Sequence, residues 1–181
     1  MGKLHEGMSF KTTTKVFKFL DPNDKIANLV RGGMTVEDAV KKFSEKFIGK
    51  EEHTGNLALN AGITLLLQLL GATASPTAFS SAASSMGIGD SATAAVATQT
   101  NLLAASNKQY NVMDSTYPTV VNQTITWQAT FASADANFAW QEYVINNATN
   151  GAGTSLNRIV TSKGTKAVGE TWILQIQITP A

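Results

Sequence analysis

Hydrophobic residues recur at helical spacing in the first part of the chain and alternate with polar ones in the second. Val36, Ala39, Val40, Phe43 and Phe47 fall on one side of a helix, with Lys41, Lys42, Glu45 and Lys46 opposite. Thr35 stands before Val36-Glu37-Asp38 as an N-cap, with acids where the positive helix end favours them. The pattern predicts an amphipathic helix over about 35–48. A second helix is predicted over 57–70, where Leu59, Ile63, Leu66, Leu67 and Leu70 share a face and Gly71 follows as a C-cap.

After Leu103 the period becomes two. Ile125, Trp127, Ala129 and Phe131 alternate with Thr124, Thr126, Gln128 and Thr130, which predicts a half-buried strand. Trp172, Leu174, Ile176 and Ile178 do the same near the end of the sequence. Phe138–Ile145 reads as a strand buried on both faces. Short strands separated by turns, with no helices interleaved, predict a mainly β fold. The expected architecture is an antiparallel β-sandwich, jelly-roll or immunoglobulin-like, preceded by an N-terminal arm and two α-helices.

Charge divides the chain. Ten of its 14 basic and eight of its 13 acidic residues lie before Asn56. This boundary predicts a charged region over 1–55, containing the amphipathic helix, and a helix plus β-sandwich over 56–181. Within the first region Lys11–Phe19 alternates briefly, as one short strand would, and ends at the turn signal Leu20-Asp21-Pro22-Asn23, while Phe10, Val16, Phe17, Phe19 and Leu20 are more apolar than a solvated tail requires. They are expected, with Val36, Val40, Phe43 and Phe47, to bind a partner.

Net charge is +1 and cysteine is absent, so there is no basic field for nucleic acid, no disulfide and no thiolate metal site. The longest apolar run, Ile63–Leu70, is far short of the ~18 residues a membrane span needs. His5 and His53 are the two histidines and both lie in the charged region, which leaves a Ser–His–Asp or zinc site unsupported. Gly87-Ile88-Gly89-Asp90 lacks the third glycine of a dinucleotide fingerprint and reads as a structural turn at a strand end. Glu142 sits in an apolar strand and would need a partner if buried; Arg158 lies outside the charged region, and the two are expected to form a structural ion pair across strands. Catalytic groups, cofactor and metal are all expected to be absent.

The stretch from Ile88-Gly89-Asp90 through Thr93-Ala94-Ala95 to Gln99-Thr100-Asn101-Leu102 resembles a pattern in small bacteriophage virion proteins. So do Asn60-Ala61-Gly62, Phe131, Trp140-Gln141-Glu142-Tyr143, Leu156-Asn157-Arg158, Gly164-Thr165-Lys166 and Trp172, covering roughly 56–179. The resemblance implies a non-enzymatic capsid decoration or cement protein. Such a protein would be made in the host cytoplasm, carried in the virion and bound to the major capsid protein and to sister subunits, with a trimer expected. A tail, collar or fibre-base adaptor is the neighbouring reading. A module gripping a glycan or host surface through Thr73–Ser85 and Asn146–Thr154 is the alternative from a different class.

Overall fold

The computed structural model describes residues 10–180. The chain is mainly β, with two antiparallel five-stranded sheets and three helices. The first sheet contains β1 (Phe10–Leu20), β2 (Phe47–Thr54), β6 (Thr119–Val121), β7 (Thr124–Phe131) and β10 (Glu170–Pro180), in the order β2-β1-β10-β7-β6. The second contains β3 (Leu57–Ala58), β4 (Ser85–Gly89), β5 (Lys108–Val112), β8 (Glu142–Asn146) and β9 (Asn157–Val160), in the order β3-β9-β8-β4-β5.

One core joins the two sheets. Val16, Trp127, Phe131, Trp172, Leu174 and Ile176 of the first sheet meet Met86, Ile88, Tyr143, Ile145 and Ile159 of the second. Trp140 lies among them, edge-on to Trp172 with ring centroids 4.7 Å apart and to Phe131 at 5.0 Å. Edge-on geometry sets the positive rim of one ring against the negative face of the next. A second core lies on the outer face of the first sheet. There α1 (Lys25–Arg31) and α2 (Val36–Lys42) pack Ile26, Val30, Val36, Ala39 and Phe43 against Phe17, Phe19 and Ile173. The alternation within β1 explains the division: Val16 points between the sheets, and Phe17 and Phe19 point under the helices.

The predicted N-terminal arm is therefore corrected. β1 is an interior strand, paired with β10 from Phe10↔Pro180 to Leu20↔Glu170 and with β2 on its other side. The composition boundary near residue 55 marks no structural break, because Val16, Phe17, Phe19, Val36 and Phe43 are consumed by the fold and are buried. Val40 and Phe47 pack partly buried against the second core. Phe10 and Leu20, at the two ends of β1, stay exposed.

The helix expected over about 35–48 is also corrected. It starts as predicted, with the Thr35 hydroxyl accepting the Asp38 N–H at 3.1 Å, but ends at Lys42. A short 3₁₀ turn, Ser44–Lys46, follows, and Phe47 opens β2, whose Lys50, Glu51 and Glu52 protect a sheet edge from further pairing. α3 (Asn60–Leu70) is shorter than the predicted helix, because Leu57–Ala58 pairs with β9. Gly62 brings α3 against β9's approach: a Cβ there would lie 2.4 Å from the Leu156 carbonyl oxygen.

Candidate functional site

The Gly87-Ile88-Gly89 stretch is no turn. It lies inside β4, hydrogen-bonded to β5 and to β8. The glycines are there because neighbouring side chains occupy the space a Cβ would need. At Gly87 that atom would meet the Tyr110 ring at 2.4 Å; at Gly89 it would meet Glu142 Oε1 at 2.5 Å and the Ala104 methyl at 2.8 Å. Asp90 stands at the foot of the following loop, its N–H donating to the Asn107 carbonyl and its carboxylate accepting from the Asn107 amide at 2.8 Å. The segment 90–107 then folds back over the outer face of the second sheet and covers it without regular structure.

What holds that cover is charge. Glu142 on β8 and Arg158 on β9 are both 0% exposed, and Arg158 Nε donates to Glu142 Oε2 at 2.7 Å. Tyr143↔Ile159 and Glu142↔Val160 are the ladder partners, so Glu142 and Arg158 meet diagonally on one face. The Glu142 carboxylate also accepts the backbone N–H groups of Leu103 at 3.0 Å and Ala104 at 2.7 Å. Arg158 Nη1 donates to Gln99 Oε1 at 3.0 Å, and that oxygen also accepts the Val96 N–H at 2.9 Å. Asn101 accepts from Tyr110 Oη at 2.7 Å and donates to the Gly151 carbonyl. Burial, followed by the Glu142 charge, raises the Tyr110 phenol to about 12. An ion pair removed from water needs its remaining polar atoms satisfied, and here cover backbone and amide side chains supply the partners. One atom is left over. Arg158 Nη2 is buried and has no hydrogen-bond partner among the described residues.

Beside Arg158, a cleft of about 540 Å³ opens between β9, the end of β2 and the Ala92–Ala95 tract. His53 and Arg158 are the titratable side chains that line it. The His53 ring is half-buried; burial, then the Lys163 charge, holds it below the usual imidazole range. Neither a hydroxyl nor a carboxylate of a described residue bonds to that ring, so no nucleophile–base pair is assembled. His5 lies outside the described residues.

A second cavity, of about 660 Å³, lies between α1, β5 and the turn after β7. Arg31 Nη2 donates to Asp135 Oδ2 at 2.8 Å, and Asn111 and the Ala132 N–H also donate to that carboxylate. Burial pushes Asp135 up, but those hydrogen bonds and Arg31 outweigh it and the carboxyl lies below its ordinary value. Asp114 is raised, by burial first, although Thr130 and Gln128 donate to it. The polar groups here are matched to one another, as in a wall that fixes α1 to the sheet. Nearby, the buried Lys166 ammonium donates to the Ala132 carbonyl and to Asn137 Oδ1, each at 2.8 Å, and burial lowers it to about 8. Among the described residues no group of three His, Asp or Glu is placed to hold a metal ion.

The two loops expected to serve recognition are bonded to each other and within themselves. Asn147 Nδ2 donates to the Thr77 carbonyl at 2.7 Å, tying one loop to the other. Asn146 Nδ2 donates to the Gly153 carbonyl and to Ser155 Oγ, and Asn147 Oδ1 accepts the Thr154 N–H at 2.6 Å.

An exposed apolar surface, unpartnered among the described residues, lies on α3. Leu65, with Leu59 just before the helix and Leu69 partly, faces the core, whereas Ile63, Leu66, Leu67 and Leu70 point outward. Leu67 is 62% and Leu70 87% exposed, and the helix carries no charged residue. The stripe the spacing picked out is thus a solvent-facing stripe, and the helix reaches the core with its other side. Among the described residues no helix is long and apolar enough to cross a membrane.

Comparison with protein-family models, with curated proteins and with solved structures finds no match to this chain.

Proposed function

We propose that this chain is a non-enzymatic structural subunit that works by association through the outer face of α3. The observation that carries this reading is the i, i+3, i+4, i+7 stripe of Ile63, Leu66, Leu67 and Leu70 left in solvent on an uncharged helix. Contiguous exposed apolar surface costs free energy in water and is ordinarily covered in the working state. A stripe of this spacing on one copy packs against the same stripe on another, so a sister subunit is the occupant we assign to it. The expected anchor thus moves from the residues of β1 and α2, which the fold consumes, to α3.

The two sheets are read as the halves of a β-sandwich, a rigid body that carries the helix on its flank. The resemblance to small phage virion proteins extends the reading to a capsid decoration or cement protein, bound to the major capsid protein and to its own copies as a trimer. A tail, collar or fibre-base position would use the same surface.

Sedimentation velocity on the wild-type chain and on a Leu67→Lys/Leu70→Lys variant tests the association. Self-assembly in the wild type, lost in a variant of unchanged thermal midpoint, is the expected outcome. A wild-type chain that remains monomeric at the highest soluble concentration overturns it. Stained-gel densitometry of purified particles tests the virion reading: a ratio near one copy per capsid subunit is expected for a decoration protein, and absence from the particle ends that reading.

A further inference from the structure

We propose that the cleft between β9, the end of β2 and the Ala92–Ala95 tract binds a small oxyanion, a carboxylate or a phosphate, with Arg158 Nη2 as its donor and His53 at its mouth. The inference is independent of the association through α3. It begins from an imbalance in the buried polar groups. Of the three guanidinium nitrogens, Nε serves Glu142 and Nη1 serves Gln99, while Nη2 has no acceptor although the residue is wholly buried. Guanidinium is a donor-only group, and a charged donor left unsatisfied in the interior is costly. An oxygen arriving there gains a charge-assisted hydrogen bond without displacing one.

The surroundings select the ligand. The cleft offers donors in Arg158 and His53 and its lining residues include no carboxylate, so it suits an acceptor, with Glu142 on the far side of the guanidinium as the nearest described negative charge. At about 540 Å³ it falls within the range of small-molecule sites. Its outer wall is Ala92, Ala94 and Ala95, where no side chain exceeds a methyl group. The segment that carries those alanines is held to Arg158 through the Gln99 side chain, which bonds Nη1, the Val96 N–H and the Ala94 carbonyl. Glu142 already balances the Arg158 charge, so the binding is expected to be weak.

The test is an amide NMR titration of the full chain with sodium acetate and, separately, sodium phosphate, each against sodium chloride at matched ionic strength. Saturable shifts at Gly55, Ala92, Ala94, Ala95 and the Arg158 Nε–H are expected, weakened in His53→Ala and abolished in Ala94→Trp, which fills the cleft from an exposed position. Saturation by one anion alone assigns the source as carboxylate or phosphate. No saturation up to about 50 mM of either, an equal response to chloride, or wild-type titration in Ala94→Trp overturns the proposal.

Discussion

The two sheets each have an outer face that must be covered, and the chain covers them by opposite means. Over the first sheet two short helices lay Ile26, Val30, Val36, Ala39 and Phe43 onto Phe17, Phe19 and Ile173. Contact there is non-directional, and its stabilisation scales with apolar area. Over the second sheet an irregular segment is fastened by Glu142, Arg158, Gln99 and Asn101 through hydrogen bonds of fixed geometry. The comparison teaches that a segment without helix or strand can cover a sheet when a buried charge accepts its backbone N–H groups. It also predicts different modes of failure: the apolar cover should lose stability in proportion to what is deleted, and the polar one should fail when a single partner is lost.

Arg158→Ala gives the sharpest break. It strands the Glu142 carboxylate in the interior, and we expect about 3–5 kcal/mol of destabilisation by urea unfolding. The double variant Glu142→Gln/Arg158→Met should recover more than half of that, because no uncompensated charge remains. Equal losses in single and double variants would mean that packing, and not charge, fastens the cover. Ile26→Ala under the helices should cost about 2–4 kcal/mol, with no change in amide exchange at Leu103 and Ala104. Gly89→Ala should cost about 1–3 kcal/mol by pushing Glu142 Oε1 and Ala104 apart, and here exchange at Leu103 and Ala104 should rise selectively. Thr35→Ala removes the cap of α2 and should cost about 1 kcal/mol, felt only on the helical side.

The smallest effect separates the covers by pH. Tyr110 belongs to the polar cover, and its phenol lies at about 12 in the fold. An acid whose folded value is raised contributes stability that is complete below its unfolded value, near 10, and is lost as pH rises through 12. Lys166, lowered from 10.5 to about 8, acts in the opposite direction: the folded chain releases that proton first, so stability rises with pH between those values. The measurement is therefore a difference, wild type against Tyr110→Phe, from pH 9 upward. The wild type should lose the larger share of stability as pH rises; parallel curves would mean that the phenol ionises in the fold as it does in water. Tyr117, which burial and then the Glu37 charge on α2 also raise, is present in both proteins and cancels in the difference.

How much of this was legible in the sequence follows from the range of the interactions. β7 was readable residue by residue, because one face of Thr124–Phe131 is apolar and the other polar. The start of α2 was readable because capping is local. β1 was not. Its lysines and threonines disguise a central strand, and its partners in β10 lie far away in sequence, so its phenylalanines resembled unused anchors. Glu142 and Arg158 stood out as charges in apolar surroundings, and the structure brings them together. Gln99, Leu103 and Ala104 were missed, since a backbone N–H donor leaves no mark on residue type. The uncharged, amide-bearing tract beside Gly89 was the available signal. Gly87 and Gly89 were singled out but assigned to a turn, because spacing alone does not say which side chains need the room.

The pairing of β1 with β10 has a consequence for synthesis. Asp21 and Thr171, hydrogen-bonded at 3.0 Å, are 150 residues apart in sequence, and β10 is the strand inserted between β1 and β7. While the ribosome is still making β10, β1 and β7 each present an open edge, and Trp127, Phe131 and Val16 lack the strand that completes their layer. The first sheet therefore closes only after release of β10, and a chain broken off before Glu170 leaves two unpaired edges for chaperones or proteases to find. Such long-range closure is slow by its loop entropy, and it makes the arrival of β10 a condition of closing the first sheet.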